Sequence, residues 1–250
     1  MDSKGGQLTI FVIIAILIVF VIFIYFYWAS PDFLFSRFER MDFDSCVLEA
    51  FDKEIEKLSL TGGIENGPSF KFRGDSIPYY CYTNIPYTTC TVQHPMVKQS
   101  FERQLLKKME QRVNECYEDS VEDLRERGFE VITGEVEVNL TIIPKRINVE
   151  IKAPTAVEGQ RFVNYRMNVD SPIYDLLMIA TSILQYEASY GDAPISEFMF
   201  YYNNIIVDKL KQGDSTTIYI ISDKNSDLKF QFASRSLIWP AGYDVVTYEV

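Results

Sequence analysis

Residues 136–152 read VEVNLTIIPKRINVEIK, and their spacing decides the fold class. Val136, Val138, Leu140 and Ile142 alternate with Glu137, Asn139 and Thr141. Ile147, Val149 and Ile151 alternate with Arg146, Asn148, Glu150 and Lys152. A period of two sends apolar side chains to one face of a strand and polar ones to the other. Pro144-Lys145 separates the two runs, which predicts an antiparallel hairpin with one buried and one wet face.

Working outward, the period changes. Val97, Phe101, Leu105, Met109, Val113, Cys116 and Leu124 lie mostly three or four apart, which predicts a helix from Met96 to Arg127, stopped at Gly128. Residues 160–169 (QRFVNYRMNV) add a strand. Ser171-Pro172 opens a helix that runs to Tyr190, with Gly191 after it. Residues 195–211 read as a further helix, with Phe198, Tyr201, Ile205 and Leu210 on one face. Thr216–Ile221 and Leu228–Trp239 read as a second hairpin around Asp223–Asp227. Nearer the N-terminus, Asp44-Ser45 caps a helix to Leu60 carrying Val47, Phe51, Ile55 and Leu58, and Gly62-Gly63 stops it. Residues 61–95 are rich in Gly, Pro, Tyr and Thr and read as a long ordered loop, with short strands at Phe70–Phe72 and Tyr79–Tyr82. Helices and antiparallel strands in separate runs define an α+β domain, residues 44–250.

From Leu8 to Ala29 the chain carries no charge. These residues make about 33 Å of helix, against a hydrocarbon core of about 30 Å. The expectation is a transmembrane helix over residues 7–30, meeting the lipid bilayer through residues 8–29. Tyr25, Tyr27 and Trp28 act as interface anchors, and Pro31 ends the helix. A cleaved secretory signal is the competing reading, but such signals have apolar cores of about 7–15 residues and a small-x-small cleavage site. FIYFYWAS offers no such site. Residues 31–43, with Phe33, Phe35, Phe38 and Phe43, form a juxtamembrane segment or join the domain core. The expected location is the cell membrane, single-pass, with a cytoplasmic N-terminus and the C-terminal domain extracellular.

Asp2 and Lys4 cancel, so the net charge of -11 belongs to residues 30–250. That balance argues against nucleic acid, whose phosphates need clustered Lys and Arg. It favours a soluble domain surface.

The chain holds four cysteines, an even number, all in the first half of the expected ectodomain. In an oxidising setting the default is two disulfides, with three pairings open. Cys81 and Cys90 flank the short span YTNIPYTT, while Cys46 and Cys116 each fall in a predicted helix. This favours Cys81–Cys90 and Cys46–Cys116. Zinc is the sharper alternative, yet there is no CxxC and the one histidine, His94, follows Cys90 by four residues. Buried free thiols are the third reading. Asn139-Leu140-Thr141 is a glycosylation sequon on the wet face of its strand.

No GxSxG, P-loop, HExxH or dinucleotide glycine pattern occurs. His94 beside Pro95 reads as a loop residue. Glu118-Asp119 and Glu122-Asp123 supply carboxylates for acid–base work, but on a helix rich in Lys, Arg and Glu they read as a solvated face. Phe198-Met199-Phe200-Tyr201-Tyr202 lines a sugar or peptide groove or, in the blander reading, packs into the core. No catalytic residue, metal or cofactor is expected.

The leader Met1-Asp2-Ser3-Lys4-Gly5-Gly6-Gln7, followed by the apolar run, resembles the prepilin-like (class III) signals of archaeal surface proteins. The resemblance covers about the first 30 residues. It implies a leader of residues 1–6, cleavage between Gly6 and Gln7, and a retained apolar helix serving as anchor or filament core. Phe11 stands where pilins often carry Glu at the fifth mature position, a departure from the filament pattern. The arrangement also resembles anchored surface proteins of small-genome archaea. The expected function is a membrane-anchored envelope protein with a non-catalytic binding, adhesion or structural role, partnered by itself or by other envelope proteins. A pilin-like filament subunit and a membrane-bound, carboxylate-dependent hydrolase are the alternatives.

Overall fold

A computed structural model of the chain describes residues 13–22, 24, 31–64 and 67–238. The chain divides into two units, residues 1–45 and 46–250. In the first, residues 13–22 and 24 are helical. Among the described residues no helix is long and apolar enough to cross a membrane, which corrects both the transmembrane helix and the single-pass location. Of the described residues, the apolar helical ones, 13–22 and 24, are fewer than the roughly 20 a crossing takes. The next helix, α1 (Pro31–Leu60), starts at the proline expected to end the span and takes in the segment assigned to the membrane surface. It carries Asp32, Arg37, Glu39, Arg40 and Asp42, so it cannot extend an apolar run. Tyr25, Tyr27 and Trp28, and the leader positions Gly6 and Gln7, lie outside the described residues.

The second unit is α+β, built from two sheets. From Cys46 onward α1 buries Val47, Phe51, Ile55 and Leu58, the helical stripe of the sequence. It ends where Gly63 N–H bonds Leu58 O (2.7 Å), with Gly62 and Gly63 both at positive φ. Residues 61–95, expected as a long ordered loop with short strands at Phe70–Phe72 and Tyr79–Tyr82, hold strands β1 (Ser69–Phe72), β2 (Asp75–Tyr82) and β3 (Thr91–Val92). Helix α2 (Val97–Glu126) follows and buries Val97, Phe101, Leu105, Met109, Val113, Cys116 and Leu124 on one face.

Strands β4 (Val131–Thr133), β5 (Glu137–Ile143), β6 (Arg146–Val157) and β7 (Gln160–Asp170) make one sheet. The first half of β6 pairs with β5 and its end with β4, while β7 runs along its other side. Lys145, at φ 71, makes the β5–β6 turn. Helix α3 (Ile173–Tyr190) starts after Pro172, with Ser171 Oγ accepting from Ile173 N–H (3.3 Å), and closes at Gly191 in the left-handed region.

Residues 195–211 are not one helix. Helix α4 (Ile195–Tyr201) stops after two turns, and β8 (Ile205–Lys211) follows. Ile205, Ile206 and Val207 are β-branched and alternate buried, exposed, buried. Antiparallel pairing with β9 (Thr216–Asp223), from Ile205·Asp223 to Lys211·Thr217, outweighs the helical spacing. β10 (Lys229–Arg235) completes the sheet β1-β2-β10-β9-β8, with β3 also on β2; its β2–β10 pairing is parallel. Helix α3 packs on β2, β9 and β10 and also touches α2 and β5, so one apolar helix joins both sheets. Tyr80, Tyr219, Phe230 and Phe232 form the aromatic centre of this core, with the Tyr219 and Phe232 rings stacked 5.3 Å apart.

Candidate recognition surface

The segment from the end of α3 through α4 to β8 carries six aromatic side chains. Phe198 faces inward, and its ring meets Tyr186 edge to face at 5.9 Å; Tyr186 in turn lies 5.9 Å from Tyr190. On the outer side, Phe200 and Tyr201 are each 78 % exposed. They stand perpendicular to each other, centroids 5.5 Å apart. Tyr190, Tyr202 and Ile206 are exposed as well. Core packing therefore accounts for Phe198 but not for its neighbours. A helix of seven residues can bury one face only, and the register that seats Phe198 turns Phe200 outward, while Tyr201 is the last residue of α4.

The surface is held at both ends. Lys209 Nζ donates to Ala193 O (2.9 Å) and pairs with Asp192 (2.5 Å) ahead of α4. Behind it, Lys224 Nζ donates to Asn203 O (2.7 Å), and Asn204 Nδ2 donates to Asp223 Oδ1 (3.0 Å). Beneath it, α3 is anchored by Glu187, which accepts hydrogen bonds from the Tyr219 hydroxyl and from Ser234 Oγ (2.7 Å). Burial pushes the Glu187 carboxyl above the usual carboxylate range, against the lowering effect of those two donors. Burial, and then the nearby Glu187, push the Tyr219 phenol up as well.

The four cysteines form two disulfides. Cys46–Cys116 joins α1 to α2 (Cα–Cα 6.0 Å), and Cys81–Cys90 closes the β2–β3 loop (Cα–Cα 5.3 Å). That loop is further braced. Tyr87 N–H donates to Leu237 O (2.6 Å), Leu237 N–H to Thr88 O (3.0 Å), and Cys90 N–H to Ser236 Oγ (3.0 Å). Its tip exposes Ile85 and Tyr87, the latter in a left-handed conformation at φ 61.

The remaining expected residues are scattered. His94 is half-buried against Tyr80, ring centroids 5.4 Å apart, and burial lowers its pKa. It makes no hydrogen bond among the described residues. Asn139 is exposed on β5, opposite Glu150. Asp123 is ion-paired with Arg127. Glu118 and Glu122 line an open groove of about 870 Å³ between α2 and the β4–β5 connection, far in sequence from His94. Among the described residues, no group of three or more His, Cys, Asp or Glu is placed to hold a metal ion. The exposed aromatics carried a signal in the sequence, five consecutive large apolar residues, but the direction each faces depends on where α4 ends. No family model, curated protein or solved structure matches this chain.

Proposed function

We propose that the α+β unit is a non-catalytic recognition module of an oxidising compartment, which engages a partner protein through the aromatic surface of α4. The observation that carries this reading is the exposure of Phe200 and Tyr201 on a short helix fixed at both ends. Burying a large apolar side chain contributes about 1.5–3 kcal/mol, and two adjacent rings forgo that gain in the free domain. Such patches mark interaction sites, and Tyr and Phe are enriched at interface centres. The rings are pre-positioned, so little side-chain entropy is lost on docking. Protein is favoured over glycan because the exposed pair presents two aromatic rings packed edge to face against each other. Two disulfides in the same unit support the oxidising compartment.

The test places p-benzoylphenylalanine at Tyr201 in cells that natively make the protein. Irradiation is expected to give one reproducible protein adduct, absent when the same group replaces Asp227 and lost when Phe200→Ser is added. A glycan adduct, or adducts no stronger than from position 227, would overturn the reading.

A further inference from the structure

A sheet edge with free main-chain groups is a template for another strand, and folded proteins blunt such edges. Here most are blunted. β1 has four residues and β4 three. β8 carries Lys209 and Lys211 and packs against α4. The edge of β5 is sealed by α2: Ile142 N–H donates to Glu102 Oε1 (2.8 Å), Lys98 Nζ donates to Ile142 O (3.2 Å), and Lys98 and Glu102 are themselves ion-paired (2.6 Å). β7 differs. It is eleven residues long, QRFVNYRMNVD, with no Pro, Gly or Lys, and among the described residues its only ladder is with β6.

The hydrogen-bond phase identifies which groups are free. Ile142 turns its N–H and C=O away from β6, so Ile142·Ile147 is a non-hydrogen-bonded pair and Ile147 bonds across to Val169. Ser171 N–H bonding Lys145 O (3.0 Å) two residues on fits the same phase. Val169 and Met167 therefore face β6 with their main-chain groups. Asn164, Arg166, Asn168 and Asp170 point theirs outward, where no described residue meets them. All four side chains are exposed, and Met167 between them is only half-buried.

We propose that two copies of this chain pair edge to edge through β7, antiparallel, about a two-fold axis at Met167. Outward groups must meet outward groups, which limits the register. Centring on Met167 sets Arg166 opposite Asn168 of the second copy and Asn164 opposite Asp170, with Arg166 diagonal to Asp170. It makes about eight main-chain hydrogen bonds. Centring on Arg166 would instead oppose two like charges. The chosen register also brings the two Met167 side chains together as a close, non-hydrogen-bonded pair. A joint of one strand per copy is small, so the dimer forms reversibly with concentration. This inference is independent of the α4 surface.

Two measurements on the full chain test it. Sedimentation of wild type is expected to show a concentration-dependent dimer, and Asn168→Pro to weaken it at least tenfold. That proline removes an N–H that β6 does not use, so the melting temperature stays near wild type. Met167→Cys is expected to give a covalent dimer linked 167 to 167 by peptide mass mapping under mild oxidation. A wild type that stays monomeric at the highest concentration reached, a dimer indifferent to Asn168→Pro, or Asn168→Cys cross-linking while Met167→Cys does not, would each overturn the proposal.

Discussion

Tyr219 donates a hydrogen bond to Glu187 where β9 meets α3, and neither side chain reaches water; Glu187 is 1 % exposed. Ser234 Oγ bonds the other carboxyl oxygen and lies 3.4 Å from Cys90 Sγ. Tyr219 donates to Oε1 and Ser234 donates to Oε2, so both carboxyl oxygens accept a hydrogen bond inside the core.

Burial raises the folded pKa of Glu187 above its unfolded value of 4.5. The folded state therefore binds this proton more tightly. The resulting stability is complete below the unfolded pKa and is lost as pH rises through the folded one. Glu187→Gln keeps the shape without the charge. It is expected to stabilise the protein at pH 7 by about 1 kcal/mol or more, with the gain shrinking below the unfolded pKa. Urea denaturation across that range checks the sign; a constant difference would refute the linkage. Glu187→Ala, which strands Tyr219 and Ser234, is expected to cost about 2–4 kcal/mol.

The two disulfides close loops of very different length, 70 and 9 residues apart in sequence. Loop-entropy arguments assign about 4 kcal/mol to Cys46–Cys116 and about 2.5 kcal/mol to Cys81–Cys90. The double variant C46A/C116A is therefore expected to lower the denaturant midpoint more than C81A/C90A. The reverse order would show that the short loop's bracing outweighs chain entropy.

Gly62 and Gly63 end α1 at φ 59 and φ 70. A Cβ at Gly62 would stand 2.8 Å from Gln231 O and 2.9 Å from Pro78 Cγ, and one at Gly63 2.8 Å from Phe101 Cδ2. Tyr80 also donates its hydroxyl to Gly62 O, fixing that carbonyl. Gly62→Ala adds a left-handed penalty to a main-chain overlap, so a loss of about 2 kcal/mol or more is expected. Thermal unfolding measures it.

Tyr87 is the opposite case: left-handed, but 77 % exposed at the tip of its loop. Asn tolerates that conformation better than a bulky ring. Tyr87→Asn is expected to raise the melting temperature by about 1–3 °C, from about 0.5–1 kcal/mol of relieved strain. An unchanged or lower value would mean that the ring contributes packing.

Most elements were legible because periodicity is a local property. Val97 to Leu124 at helical spacing, and Val138 to Ile151 alternating about Pro144-Lys145, allow one answer each. The segment 195–211 was not legible, since Phe198, Tyr201 and Ile205 fit a helix while Ile205 and Val207 fit a strand. The choice fell to β9, a partner supplied from further along the chain. Of β2 only the end, Tyr79–Tyr82, was legible, because its extent rests on partners, one of them β10, about 150 residues away. Of the recognition surface, the sequence showed the aromatic run but not which rings face water.

The sequence by itself determined the α+β composition, the helix stops at Gly62-Gly63, Gly128 and Gly191, and the acidic charge, all consequences of local spacing and backbone preference. Only the tertiary structure decided which cysteines pair, that Glu187 lies buried, that Phe200 and Tyr201 are exposed, and that among the described residues β7 pairs on one side only. Those depend on which distant segments meet, and burial and pairing energies belong to the contact rather than to either residue alone.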